Sequence, residues 1–234
     1  MEYIVIIITS IIAIIALKIG FNIHIKDIKK IKEIGYDKEL NKIGDKFPEN
    51  KEICEKVLEK LENKNVIIEE MQESKTSLYI AISNKIIIAN IKDTFTRIQT
   101  IAHECLHSIQ NRKILLFNFI FSNIYMLCFI IAILLILFNV GNSMLYIQIF
   151  TILSIIYCTV RMYLENEAMS RAMYVAKEYM QDFKVETNKV TDKEINTLVK
   201  QFDILNKMGI PLTNFYFVAI NLGKIILLAI LALV

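Results

Sequence analysis

The segment TIAHECLHSIQ, residues 100–110, holds the side chains best suited to chemistry in this chain of 234 residues. It contains two of the three histidines, His103 and His107, and Glu104 directly follows the first. Residues four apart on a helix lie one above the other, so both imidazoles can be directed at a single point. Glu104 is rotated by about 100° from His103 around the helix axis. It can therefore reach a water bound to a metal at that point without itself binding the metal. We therefore predict that His103 and His107 bind Zn²⁺ and that Glu104 is the catalytic base.

The alternative is that two histidines share one face of an amphipathic helix without a common ligand. With three His and 17 Glu in the chain, a chance H-E-x-x-H is roughly a one-in-several-hundred event, which favours the metal site. Cys105 lies two positions from His103 and off the metal-facing side of the helix, so we expect it in the core rather than among the ligands.

The composition is that of a membrane protein. It is 55% hydrophobic with a mean hydropathy of +0.46 and only two prolines. Four segments are long and apolar enough to cross a bilayer. The first lacks a basic region ahead of it and an obvious cleavage site, so we interpret it as an uncleaved anchor. These segments are residues 3–21, 114–140, 144–160 and 215–234.

The predicted fold is therefore a mainly α membrane protein, with four transmembrane helices and a small cytoplasmic zincin-like α+β lobe. We divide it in chain order into a transmembrane helix, the lobe with the H-E-x-x-H helix, a transmembrane hairpin, cytoplasmic helices that carry the third zinc ligand, and a last transmembrane helix. The corresponding ranges are 1–22, 23–113, 114–160, 161–214 and 215–234.

Positive charge predicts the orientation in the membrane. Of the 27 Lys and Arg residues, 18 fall in residues 18–113 and eight in residues 161–214, whereas the short turn at 141–143 has none. By the positive-inside rule both polar regions, and with them the catalytic site, are cytoplasmic in a multi-pass protein of the cell membrane. The net charge of +3 is then a topology signal, and no aromatic-interleaved basic patch points to nucleic acid. Four cysteines without metal or redox spacing suit a reduced compartment.

The lobe is predicted to contain strands just before the motif helix. The runs SLYIAIS (77–83) and KIIIAN (85–90) are joined at Ser83-Asn84 like a hairpin, and a third β-rich run lies at residues 66–68. Further amphipathic helices are predicted at residues 161–183 and 192–208. A strand hairpin that leads into an H-E-x-x-H helix resembles the zincin arrangement, in which an edge strand holds an extended peptide across the metal.

A catalytic zinc needs a third protein ligand, and the remaining histidine, His24, is better interpreted as an interfacial residue. The segment RMYLENEAMSRAM follows the third apolar segment and offers two acidic candidates, Glu165 and Glu167. They are two apart on a helix, about 200° in rotation, so only one can face the two histidines. The small residues on the side of Glu165, Ala168 and Ala172, would permit close approach of the motif helix and favour Glu165.

The motif, followed by a membrane hairpin and then by ENEAMSRAM, resembles the YugP-type neutral zinc metallopeptidases, a family of bacterial membrane proteins. The resemblance implies a zincin fold, Glu165 as the third ligand and proteolysis at the membrane. This chain departs from the family pattern at Leu106, where the family usually has Gly. The matching positions are His103, Glu104, His107, Gln110, Glu165, Ala168, Arg171 and Ala172.

The expected function is that of a zinc metalloendopeptidase, which hydrolyses a peptide or membrane-protein substrate with a zinc-activated water and Glu104 as general base. Arg171 and Tyr163 are candidates for the oxyanion donor. The alternative function is a catalytically silent zinc-binding membrane scaffold or regulator, and a transporter component is a weaker third possibility. The expected partners are the substrate and the lipid bilayer, with the oligomeric state left open.

Overall fold

The computed structural model describes residues 1–71, 73–74, 76–91 and 93–234. Within these ranges the chain forms eight helices and one three-stranded sheet, so the prediction of a mainly helical protein is confirmed. The elements are α1 (Glu2–Gly20), α2 (Ile25–Gly35), α3 (Lys38–Gly44), α4 (Asn50–Lys60), β1 (Ile67–Met71), β2 (Leu78–Ile80), β3 (Lys85–Ala89), α5 (Arg97–Ile109), α6 (Arg112–Leu137), α7 (Ser143–Thr187) and α8 (Asp192–Leu231).

Four of the helices, α1, α6, α7 and α8, are long and apolar enough to cross a membrane, which confirms the prediction of four such helices. Two of them are longer than the sequence analysis expects. The helices predicted at 161–183 and 192–208 are continuous with apolar segments, in α7 and α8 respectively. No Gly or Pro interrupts α7 near residue 161, so nothing ends the helix there. In α8 the chain remains helical through Pro211.

The chain divides into two compact units. The first contains Met1–Ile23, Leu116–Tyr163 and Pro211–Val234 and so holds the apolar parts of α1, α6, α7 and α8. Its core is built on the stacked rings of Tyr125 and Phe150, with ring centroids 4.9 Å apart. Many of its large aliphatic side chains face outward, as expected of helices whose solvent is lipid.

The second unit contains His24–Leu115 and Leu164–Ile210, and it carries all the residues predicted to bind metal. Its core joins α4, α5, the sheet and the polar halves of α7 and α8. Side chains from each of these elements are almost fully buried, among them Ile53, Ile86, Ile101, Ala172 and Phe202. The motif helix thus lies inside a packed layer rather than on a free surface.

The sheet has the strand order β1-β3-β2. Strands β2 and β3 are antiparallel neighbours, with Tyr79 paired with Ile86, and the chain turns at Asn84 with a φ of 48°. This is the hairpin that the sequence predicts. Strand β1 lies on the other side of β3 and runs parallel to it, with Ile67 opposite Lys85. Strand β2 is therefore an edge strand.

Arg97, the first residue of α5, fixes the start of the motif helix. Its side chain is 2% exposed. The guanidinium donates to the carbonyl oxygens of Gly44, Phe47 and Pro48 and to the side-chain oxygen of Asn50, at 2.7 to 3.0 Å. A planar guanidinium offers five donors in a fixed geometry, and one side chain thereby holds the whole turn between α3 and α4 against α5.

Candidate metal centre

Helix α5 directs the two histidines of the motif at one point. The Nε2 atoms of His103 and His107 are 3.0 Å apart, and the ring planes are nearly perpendicular. The opposite side of the helix is apolar, and Ile98, Ala102 and Cys105 on it are completely buried. Burial of that side leaves the histidine side to face α7, the second helix after α5 in the chain.

Glu165 on α7 completes the group. Its Oε2 atom lies 3.4 Å from His103 Nε2 and 3.7 Å from His107 Nε2. Ala168 and Ala172, one and two turns further along α7, are each 1% exposed in the same core as α5. Small side chains at these positions let the two helices approach closely enough for the three ligand atoms to meet.

The geometry of the three atoms fits a metal ion. Ligands of a tetrahedral zinc ion lie about 2.0–2.2 Å from it, so two ligand atoms are about 3.3–3.5 Å apart. The three separations, 3.0, 3.4 and 3.7 Å, lie around that value. Two imidazole nitrogens and one carboxylate oxygen are also donors that divalent transition metals accept. His103, His107 and Glu165 therefore form a group that could hold a metal ion.

Glu104 lies beside this group and is not part of it. Its side chain is buried, and its carboxylate accepts a hydrogen bond from the backbone N–H of Tyr79 in the edge strand β2. Burial raises the pKa of Glu104 above its ordinary value, and the nearby Glu165 carboxylate raises it further. The same pKa is lowered by His103, His107 and the backbone N–H of Tyr79, but burial outweighs them. A carboxylate with a raised pKa is a better proton acceptor near neutral pH.

Opposing effects act on the pKa of His107. Burial lowers it, but the hydrogen bond and negative charge of Glu165, together with a hydrogen bond to Gln110, outweigh burial, so the pKa is raised. The negative charge of Glu165 that attracts a proton to this ring also favours a metal cation at the same place.

Gln110, the residue that follows α5, contacts both ligand-bearing helices. Its Oε1 atom lies 2.8 Å from His107 Nδ1. Its Nε2 atom donates to the Leu164 carbonyl oxygen at 2.8 Å and to the Glu167 carboxylate at 2.9 Å. Gln110 matches the family pattern, but no role for it is predictable from the sequence, because its partners on α7 are identified only by the fold.

Glu167, the rival for third ligand, has different partners from Glu165. One of its oxygens accepts from Gln110, and the other lies 3.5 Å from the guanidinium of Arg171. Arg171, a candidate oxyanion donor, is thus paired with Glu167 and half exposed. Tyr163, the other candidate, is an exposed residue that belongs to the first unit.

The remaining candidates lie outside the group. Cys105 is fully buried, with its Sγ 3.6 Å from that of Cys54 on α4, and burial raises the pKa of its thiol well above the ordinary value. It is a core residue, as the sequence analysis expects. His24 lies at the N-terminus of α2, where its backbone N–H donates to Asp27.

No family model, curated protein or solved structure matches this chain.

Proposed function

We propose that the protein is a zinc-dependent metallopeptidase of the cell membrane, similar to the YugP-type enzymes, with the second unit as a zincin-like lobe. The observation that carries the proposal is the meeting of His103 and His107 on α5 with Glu165 on α7, beside the buried carboxylate of Glu104. A site that served only to hold a metal would have no need of that extra carboxylate.

The choice of zinc rests on the ligand set. Three protein ligands, two of them imidazoles, leave the fourth tetrahedral position open, which is typical of catalytic rather than structural zinc. When bound, zinc lowers the pKa of a coordinated water toward neutrality and polarises the scissile carbonyl.

Glu104 is the general base of this mechanism. The backbone N–H of Tyr79 favours the ionised carboxylate that accepts a proton, and burial favours the protonated form after the proton has been accepted. The side chain takes the proton of the attacking water and delivers it to the leaving amine.

The substrate is a peptide segment, either free or part of a membrane protein. Strand β2 is at the edge of the sheet, and its residue Tyr79 contacts Glu104 directly. An extended peptide that adds to this edge by backbone hydrogen bonds would lie beside the catalytic carboxylate. The proposed site is on the cytoplasmic side of a bacterial membrane, in keeping with the charge asymmetry and the family resemblance.

The test is zinc content and peptide hydrolysis by the full-length protein purified in detergent, with casein or a quenched fluorescent peptide as substrate. Glu104→Gln keeps the side-chain volume and removes the base. We expect it to bind zinc as the wild type does and to lose activity by about 10²-fold or more. Glu55→Gln, on the exposed face of α4, is the matched control and should behave as the wild type.

An active Glu104→Gln protein would contradict the assignment of the base. A wild-type protein that binds zinc but hydrolyses nothing would instead favour the zinc-binding scaffold or regulator.

A further inference from the structure

The Gln110 side chain can be oriented without ambiguity from its partners. The Leu164 carbonyl oxygen can only accept a hydrogen bond, so it must receive an N–H group of the Gln110 amide, and the same amide nitrogen lies 2.9 Å from the Glu167 carboxylate. The amide oxygen must then face the third partner, His107 Nδ1, at 2.8 Å. Since an amide oxygen only accepts, Nδ1 of His107 carries the hydrogen.

This hydrogen decides which nitrogen of His107 can bind a metal. A neutral imidazole with its hydrogen on Nδ1 has its lone pair on Nε2. That Nε2 atom is the one directed at His103 and Glu165. The acceptors on α7 therefore orient the Gln110 amide. The amide oxygen in turn fixes which nitrogen of His107, a candidate ligand on α5, carries the hydrogen.

The same side chain fixes α5 and α7 relative to each other near the ligands. Leu164 directly precedes Glu165, and Gln110 follows the last turn of α5, so the amide joins the two ligand-bearing turns. Gln110 is 8% exposed, which protects its hydrogen bonds from competition by water.

We propose that Gln110 is a positioning residue of the metal centre, which holds His107 in the metal-binding tautomer and keeps Glu165 in register with the two histidines. Glu167 acts through Gln110, as the acceptor that sets the orientation of the amide. The inference rests on the proposed function, since it assumes a metal held by His103, His107 and Glu165. Loss of such a partner of a ligating histidine typically weakens metal binding by about 10- to 100-fold.

The test compares zinc affinities of full-length protein in detergent, measured by competition with a chromogenic chelator. Gln110→Ala should bind zinc about 10- to 100-fold more weakly than the wild type. Asn41→Ala is the control: Asn41 Oδ1 on α3 accepts from the backbone N–H of Phe95 at 2.8 Å, so its loss removes a hydrogen bond between two elements of the same unit away from the ligands. It should leave zinc affinity unchanged.

A charge exchange separates positioning from simple loss of structure. Gln110→Glu alone brings a carboxylate against Glu167 and the Leu164 carbonyl, and it should weaken zinc binding at least as much as Gln110→Ala. Adding Glu167→Gln restores a hydrogen-bond donor between positions 110 and 167. The carboxylate at position 110 still accepts from the Nδ1 hydrogen of His107. The Leu164 carbonyl still lacks its donor, so the double variant should recover part of the affinity that Gln110→Glu loses.

The tautomer is measured directly in zinc-free protein with ¹⁵N-labelled histidine, at an alkaline pH where the ring is neutral. The wild-type spectrum should show His107 protonated on Nδ1, and Gln110→Ala should show a mixture of tautomers. Zinc affinity in Gln110→Ala equal to that of Asn41→Ala, or no recovery in the double variant, would overturn the inference while zinc binding by the wild type still stands. A wild type that binds no zinc, or binds it undiminished in His107→Ala, would overturn the proposed function and this inference together.

Discussion

The two carboxylates of the ENE segment show how neighbouring residues of one type acquire different surroundings. Glu165 faces the imidazoles of His103 and His107, whereas Glu167 lies between Gln110 and Arg171. The helical rotation between positions two apart explains the division, since both cannot face α5 in the same way. Position on the helix, rather than chemical type, separates a candidate ligand from a residue that supports one.

We expect Glu165→Ala to lose zinc and Glu167→Ala to keep it. Removal of one of three ligands weakens the site severely, but removal of Glu167 leaves all three ligands present. Zinc stoichiometry of the two purified variants at equal protein and zinc concentrations is the measurement. A full complement of zinc in Glu165→Ala with depletion in Glu167→Ala would mean that the third ligand is Glu167.

Some of the candidate site residues could be predicted from local sequence spacing, and others could not. The positions of His103, His107 and Glu104 follow from the helical repeat alone, because all three lie within one and a half turns of α5. The role of Gln110 and the hydrogen bond from Tyr79 to Glu104 depend on which element packs beside the motif helix. Those contacts join residues far apart in sequence, and no local pattern encodes them.

Among the elements, α8 has in its first turn a glutamate, Glu194, that joins it to the turn after α3. Glu194 accepts from the backbone N–H of Thr191 at 2.9 Å, as in a capping box, and from Lys46 at 2.6 Å. The hydrogen bond from Lys46 is the main reason that the pKa of Glu194 is lowered. The folded state therefore favours the ionised carboxylate.

This contact predicts a pH-dependent contribution to stability. A lowered pKa in the folded protein stabilises it at pH values above the ordinary glutamate value of 4.5, and the contribution is lost as the pH falls through the folded pKa. We expect Glu194→Gln to lower the melting temperature at pH 7. The melting temperatures of the variant and the wild type should converge as the pH is reduced below 4.5 and through the folded pKa of Glu194. Thermal unfolding in detergent over this pH range is the measurement, and an equal difference at every pH would contradict the prediction.

The elements differ in how far the sequence specifies them. The apolar runs predict the four long helices, and Ser83-Asn84 predicts the hairpin of β2 and β3. The parallel pairing of β1 with β3 was not predictable, because alternation within one strand says nothing about its partner. The burial of Arg97 was also unpredictable, since its acceptors are backbone carbonyls, which every residue carries.

The molecule as a whole combines four membrane-length helices with a polar unit that contains the candidate metal centre. The apolar segments of α6 and α7 lie between the two halves of the polar unit in the sequence. Lys and Arg are abundant in both halves and absent from the turn between α6 and α7. The positive-inside rule therefore predicts that this turn lies outside the cell and the candidate metal centre inside.

The orientation can be tested with single cysteines in whole cells, in a background that lacks the native cysteines. Asn142 and Lys189 are both exposed, one in the turn between α6 and α7 and the other in the turn before α8. A cysteine introduced by Asn142→Cys should react with an impermeant thiol reagent, whereas one introduced by Lys189→Cys should react only after lysis. The reverse pattern would place the metal centre outside.

The continuity of α7 has a consequence for the order of events in synthesis. The helix carries an apolar segment of membrane length in its first half and Glu165 directly after it. His103 and His107 emerge from the ribosome first, but the third ligand follows only when both apolar segments between them have been made. The nascent chain therefore has an incomplete ligand set until the membrane hairpin is synthesised. The candidate metal centre therefore cannot assemble while the membrane segments of the same chain are still being made.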